Sequence, residues 1–438
     1  MTSTATAKPF MPTDADAALN DALGGIASKV TPTGDVLQVA LDVGSVNRRQ
    51  GIATVTDGMW QITHKAHAPN LVAEPVEGAE DFLRDNGCKI VEGLVYGEDV
   101  IKYARHLNPL AGVIKQTRAI RDGNFGGFDK LQRQGLAGIA DQLNEMKKQD
   151  AHALDGISRI AIVSAIPGGM SVQYSDEVTR LGLAAGQEIL APVFGGIKPS
   201  YNTGAETNFI ARGLNLKAPL VAVNFGGGTI EIAYFLGGSW KCGQVSKSDV
   251  CVDWGNAGQS IDAEVRTALE TRFDAAGVPK ASLYQPASFI AYKHAILAPA
   301  KGSFEEKSDL LLVTDGAGNK TFVNIRGLAD LIMKPRIKDL ARRFSDHTAT
   351  LSLTAEERSD CLSHIVVYGG TTGAKDFTQK FENALKSAFK GRDAEELRVY
   401  CAPDPMFGVL AGAFVNGADI IANNKQVYAQ IKTSGLGL

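Results

Sequence analysis

The sequence predicts an α/β protein in which one strand–turn–strand unit occurs twice. Two stretches carry that expectation. VALDVGSVN (Val39–Asn47) and VAVNFGGGT (Val221–Thr229) each end an apolar strand in a short polar side chain, Asp42 or Asn224, with glycine two residues on. A third observation is the alternation of short apolar runs with longer helical patterns around them, the order that builds sheets flanked by helices.

Bulk properties agree with that class. At 438 residues the chain is long enough for two domains or one bilobal unit. Hydrophobic content of 44% and charged content of 21% describe a globular protein. A formal net charge of -3 offers no broad basic surface, so nucleic acid is not expected as a partner. The five cysteines (Cys88, Cys242, Cys251, Cys361, Cys401) are odd in number and scattered, without metal-type spacing, which fits a reducing cytoplasm. No stretch reads as a signal peptide or a membrane span, so any membrane contact is expected to be indirect or weak.

The elements follow in order. Residues 1–35 read as a flexible N-terminal extension with one helix, DADAALNDALGGIASKV, whose Leu19, Leu23, Ile26 and Val30 share a face. VLQVALDVGSVNRRQGIATVTDG then predicts two strands about a turn at Gly44–Gln50, and GMWQITHK a third. Residues 128–154 read as a charged helix, RIAIVSAIP as a buried strand, SDEVTRLGLAAGQEIL as a helix, and LVAVNF with IEIAYFL as a second hairpin. LLLVTDGAGNKTFVNI predicts a third hairpin turned at Gly316–Asn319. IRGLADLIMKPRIKDLARRF predicts a helix interrupted at Pro335, HIVVYGG a buried strand ending in glycines, and DPMFGVLAGAFVNGADIIA an apolar helix packed inside.

The repeated turn carries the chemistry. Consecutive glycines after a strand leave backbone N–H groups bare, and such a concavity holds phosphate. Two of these turns facing each other would clamp a polyphosphate. Asp42 can reach a divalent cation or its water shell, because magnesium on nucleotide phosphates keeps several waters and takes one or two carboxylates. Ser45 and Thr229 can add hydroxyl donors. A third glycine site, IVVYGGTTGAKDF, ends a strand at Gly369-Gly370 and opens a helix near Lys375, suited to the ribose and α-phosphate side of a nucleotide.

Together ALDVGSVN, NFGGGTIEIAYFLGG and VVYGGTTG resemble the phosphate-one, phosphate-two and adenosine motifs of the actin, sugar kinase and heat-shock chaperone superfamily. GGGTIEIAYFLGG, GNAGQSIDAEVRTAL and APDPMFGVLAGAF are most similar to bacterial actins of the MreB and MamK type, over roughly 36–422. The resemblance implies an actin-like duplicated fold: two lobes, each a mixed sheet flanked by helices, with the nucleotide in the cleft between them. It implies a first lobe of 36–205 plus 404–438, with an enlarged outer subdomain at about 84–155, and a second lobe of 206–403. ATP and Mg2+ are the cofactors implied, with Asp42 on the metal through water. Gly44, Ser45, Val46, Asn47, Gly226, Gly227, Gly228, Thr229, Lys293, Gly369, Gly370, Thr371 and Thr372 are the implied nucleotide-binding residues.

In these actins a catalytic glutamate precedes the second phosphate turn in a pattern like E-P-x-x-x-x-x-G-L. GAETNFIARGL supplies Glu206, Gly213 and Leu214 at matching distances from Asn224, with Thr207 in the proline position. Glu206 is thus expected to orient or deprotonate the attacking water, although a carboxylate that favours a helix dipole fits the same position. Two departures stand out. Asn224 replaces the family's usual aspartate, and His294 follows Lys293 where a glutamate is usual. The implied activity is that of an ATPase whose filaments, assembled from copies of itself in the cytoplasm, shape the cell or position a cargo through an adaptor. Asn224 leaves slow hydrolysis open, and with it a weakly hydrolysing scaffold; a small-molecule kinase on the same fold is the other alternative.

Other constellations carry less. His64 and His67 lie on a strand without carboxylate or cysteine companions, so they read as solvated histidines. Arg48 and Arg49 read equally as phosphate contacts or as an exposed hairpin tip. No G-x-x-x-x-G-K-[ST] and no G-x-S-x-G occurs, which removes P-loop and serine-hydrolase chemistry.

Overall fold

The computed structural model describes residues 35–417 apart from 45, 57–58, 92, 110–124, 167, 208, 210–218, 236–249, 254–257, 300–301, 316–317, 402–407, 411 and 415–416. The N-terminal helix expected at 14–30, Ser45, and Gly213 and Leu214 lie outside the described residues.

Sixteen strands occur among the described residues: β1 (Val36–Val43), β2 (Asn47–Thr56), β3 (Met59–Pro69), β4 (Val72–Pro75), β5 (Ile90–Val91), β6 (Leu94–Tyr96), β7 (Leu107–Pro109), β8 (Arg159–Ile166), β9 (Pro199–Ala205), β10 (Leu220–Phe225), β11 (Ile230–Phe235), β12 (Val250–Asp253), β13 (Leu310–Thr314), β14 (Lys320–Asn324), β15 (Ile365–Tyr368) and β16 (Val399–Cys401). Two five-stranded sheets share one topology. The first runs β3-β2-β1-β8-β9 and the second β12-β11-β10-β15-β16. In each, the leading hairpin is antiparallel and the two later strands add parallel to its first strand. The internal repeat read from the glycine turns is therefore a duplication of whole sheets.

Periodicity of two along the central strands sorts their side chains to opposite faces. In β1, Leu37, Val39 and Leu41 face a core shared with Leu136, Ile139 and Leu143 of the helix Phe125–Gln149. In β10, Val221, Val223 and Phe225 face a core closed by the helices Gly258–Ala276, Leu328–Thr350 and Phe377–Ala388. The alternate residues, Val36 and Ala40 in one sheet and Leu220 and Ala222 in the other, meet in a single layer together with Phe209, Val409, Leu410 and Phe414. That layer sits between the sheets. The expected apolar C-terminal helix is what fills it, and Phe414, fully buried, contributes roughly 1.5–3 kcal/mol by leaving water. The helix approaches so closely that a side chain at Gly412 would lie 1.5 Å from the Phe209 carbonyl oxygen.

A smaller sheet, β5-β6-β4-β7, stands apart with its own core of Ala73, Leu83, Val95, Val100 and Leu107. Among the described residues of 84–155, the first part joins this outer sheet and the helix Phe125–Gln149 covers the first five-stranded sheet instead. Two sequence readings need correction. The helix Leu328–Thr350 runs through Pro335 without interruption, because Pro335 and Leu331, whose carbonyl loses its partner, both lie on the exposed face where water can replace the bond. The first turn is also shorter than expected, since β2 begins at Asn47 and the turn is confined to Gly44–Val46.

Candidate functional site

Asp42 and Asn224 occupy equivalent places in the two sheets. Each lies near the end of its central strand and points into the layer between the sheets, at the polar end of the face that Ala40 and Ala222 occupy lower down. Strand register gives each one its lateral neighbours. Asp42 pairs with Arg49 on β2 and Ala165 on β8; Asn224 pairs with Glu231 on β11 and Tyr368 on β15. Two cross-strand rows thus converge: Arg49–Asp42–Ala165, with a charged pair beside an alanine, and the polar row Glu231–Asn224–Tyr368. Asp42, Asn224, Glu231 and Tyr368 are all buried.

Glu206 joins them from β9, whose last residue Ala205 it directly follows. Asn224 Nδ2 donates to Glu206 Oε2. Burial pushes the Glu206 carboxyl well above the usual carboxylate range, the charges of Asp42 and Glu231 push it the same way, and Arg49 and the Asn224 amide oppose them. Burial likewise raises the Tyr368 phenol, with Glu206, Glu231 and Asp42 adding to the effect. On the other side, Arg49 Nη1 lies 2.6 Å from Asp42 Oδ2, while Asp42 Oδ1 has no hydrogen-bond partner among the described residues.

The glycine loops close over this group. Asn70 fixes the first, donating from Nδ2 to the Gly44 carbonyl at 2.6 Å and from its backbone to Val46 O at 2.8 Å. In the second, Gly226 N donates to Thr229 O at 2.9 Å and Gly258 N to Gly226 O at 3.0 Å. The loops touch: a side chain on Gly227 would come within 2.1 Å of Val46 Cγ2. Gly258 opens the helix Gly258–Ala276, and a side chain there would meet Thr371 Oγ1 at 3.0 Å and Gly227 Cα at 3.2 Å. Gly369 has φ +99° and leaves only 2.5 Å to Phe225 O and 2.8 Å to Asn224 Oδ1 for any side chain, so only glycine fits. Thr372 Oγ1 closes that third turn by donating to Gly369 O at 2.8 Å.

Residues of all three glycine motifs therefore meet, among them Val46, Gly226, Gly227, Gly369 and Thr371, while Ser45 is not described. Gly228 and Thr229 are buried in the second turn, Asn47 is the first residue of β2, and Gly370 has open space around it. A tight turn, Gly370–Gly373, separates the third motif from its helix, which starts at Phe377, close to the expected Lys375. Lys293 stands one step away: its Nζ pairs with Asp262 Oδ1 at 2.9 Å, one turn into the helix that Gly258 opens. His294 is held below its ordinary pKa, by burial first and by Lys293 second. Arg48 and Arg49 separate by strand alternation. Arg49 enters the site, while Arg48 turns away to Gln134 Oε1 at 2.7 Å and burial lowers it to about 10.

Asn70, Glu231 and Tyr368 were not expected as site residues, and Arg49 was one of two arginines read equally as a phosphate contact or as a hairpin tip. Hairpin register would have found two of them, since a turn at Gly44–Val46 opposes Arg49 to Asp42, and one at Gly226–Thr229 opposes Glu231 to Asn224. Among the described residues no cluster of three ligating side chains could hold a metal alone, His64 and His67 included. The donor set instead suits a cation carried on phosphate: a buried carboxylate oxygen without a partner, beside loops of bare glycine backbone.

The overall fold matches solved structures over most of the chain. The chain has an actin-like fold. It is similar to a MamK double helical filament (TM-score 0.58, 15% identity, 88% of this chain and 99% of the other). It is also similar to MreB 5 of Spiroplasma citri bound to AMPPNP (TM-score 0.53, 12% identity, 90% and 99%), and to a non-polymerising MamK mutant bound to AMPPNP (TM-score 0.50, 15% identity, 88% and 100%). No protein-family model matches the sequence, and no curated protein does. No helix among the described residues is long and apolar enough to cross a membrane.

Proposed function

We propose that this chain binds ATP with Mg2+ between its two sheets, hydrolyses it, and assembles with copies of itself into cytoplasmic filaments. The observation that carries the reading is the meeting of two equivalent strand ends, Asp42 and Asn224, under loops that touch through Val46 and Gly227. The loops at 44–47, 226–229 and 369–372 would hold the nucleotide, and Asp42 Oδ1 would accept from a water of the metal. When bound, the metal would neutralise charge on the phosphates. Glu206 is the water-orienting group or base, and burial beside Asp42 and Glu231 raises its affinity for a proton. Lobes of 36–205 plus 404–438 and of 206–403, with 1–35 as an extension that docks an adaptor or cargo, complete the proposal. Because both sheets contact one ligand, their relative position, and with it the surface offered to a neighbouring subunit, would follow the phosphate state.

Support comes from the relatives: one MamK structure is a double helical filament, and a MamK mutant and MreB 5 bind AMPPNP. The test is sedimentation with Mg-AMPPNP, Mg-ADP or EDTA. Pelleting that requires the triphosphate supports the reading, and equal pelleting in all three contradicts it. A second reading, a nucleotide-binding scaffold that barely hydrolyses, is favoured by the Asn224–Glu206 hydrogen bond, which occupies one oxygen of the proposed base with an amide that cannot take a proton. Tight AMPPNP binding with no phosphate release from ATP would select it.

A further inference from the structure

We infer that Arg49 is an internal counter-ion that competes with the divalent cation for Asp42, and so sets how much metal the site requires. The inference rests on the nucleotide reading above for its role, but not for its test. Asp42 is a buried carboxylate, and burying such a charge demands a partner. Arg49 supplies it from the adjacent strand at 2.6 Å, with side-chain exposures of only 11% and 2% for the arginine and the aspartate. The pair is a product of register. The three-residue turn at Gly44–Val46 sets Arg49 directly across from Asp42 on the same face of the sheet, while Arg48 faces the other way.

The remaining oxygen, Oδ1, has no hydrogen-bond partner among the described residues, and it lies on the side of the Gly44 turn. It is the position where a metal-bound water would donate. A guanidinium on Oδ2 and a dication near Oδ1 repel each other and draw on the same negative charge, so each weakens the other. Arg49 also opposes the combined field of Asp42 and Glu231 at Glu206. Without it, the charges of Asp42 and Glu231 would act on Glu206 unopposed by this guanidinium. The arginine therefore keeps the folded site stable before metal arrives, and metal entry loosens its hold on Asp42.

The test uses Mn2+ as a weak, largely hydrated ligand of Asp42, which needs no cage of several side chains, followed by loss of the free-ion electron paramagnetic resonance signal, with the full chain and no nucleotide. Arg49→Gln is expected to bind Mn2+ on the order of tenfold more tightly than the parent, the factor worth one pKa unit of charge interaction. Asp42→Asn added to Arg49→Gln should remove that gain. Equal Mn2+ affinities in parent and Arg49→Gln, or a gain that survives Asp42→Asn, overturn the inference. A second measurement needs no variant to fold. In the parent, the Arg49 side-chain nitrogen resonances should shift as Mg2+ is added and saturate with occupancy, and resonances that stay still count against the competition. AMPPNP binding is measured separately, so a chain that binds no nucleotide but shows the Mn2+ difference would lose the proposed function and keep this inference.

Discussion

Gly227→Ala probes the contact on which the two halves of the site meet. Gly227 does not have a positive φ, so the effect of alanine is expected from the added carbon. That carbon would lie 2.1 Å from Val46 Cγ2 and 2.9 Å from Val46 Cβ. Carbon atoms rest at about 3.5–4.0 Å, so the loops must part by about 1.5 Å or Val46 must leave its place. Overpacking of this kind costs about 1–3 kcal/mol, and if all of it falls on the form that grips the ligand, affinity drops roughly 5- to 150-fold. The assay is AMPPNP binding by calorimetry, with thermal unfolding as the control for global damage. Val46→Ala should restore most of the loss in the double variant, because it removes Cγ2, the atom struck. Parent-like affinity in Gly227→Ala, or a double variant no better than the single, would show that the loops do not meet in the binding form.

Glu206→Gln should abolish phosphate release while leaving AMPPNP bound, and it should change the pH dependence of stability. The folded carboxyl titrates above its ordinary 4.5, so its contribution is complete below that value and is lost as pH rises through the folded one; the glutamine variant should gain on the parent by on the order of 1–3 kcal/mol towards pH 8, read by urea unfolding at several pH values. Asn224→Asp replaces a donor to Glu206 by a second acid, so it should cost about 1–3 kcal/mol at neutral pH, be rescued by Mg-AMPPNP, and release phosphate faster than the parent. Gly412→Ala sets a carbon 1.5 Å from a backbone oxygen, which cannot yield as a side chain would; a loss of about 3 kcal/mol or more in calorimetric unfolding is expected.

The sequence was most legible where local pattern and burial coincide. β1, β8, β10 and β15 are apolar runs because both of their faces are covered, and β1, β10 and β15 each end in a turn that glycine announces. β9, PSYNTGA, carries no such pattern; it is a strand because β8 offers it a parallel partner, a cause that lies outside its own residues. The same is true of the three-residue β16 and of the small outer sheet. Within the site, the residues that repeat (Asp42, Asn224 and the glycines) could be read from their motifs. Those that act across strands could not. Arg49 stayed undecided because the end of the first turn was misplaced, and Asn70 was missed because its role, holding Gly44 and Val46, joins loops 26 residues apart. Tyr368 looked like the apolar end of a strand, yet it stands beside Asn224 facing the buried acids.

The central claim is that nucleotide held between the two sheets drives assembly and that Glu206 ends it. Light scattering of the purified chain on adding Mg-ATP, with released phosphate followed in the same cuvette, tests it most directly. The account predicts a rise that decays as phosphate appears, and in Glu206→Gln a rise that persists without phosphate. Absence of any rise, or decay in Glu206→Gln at the parent's rate, would contradict it.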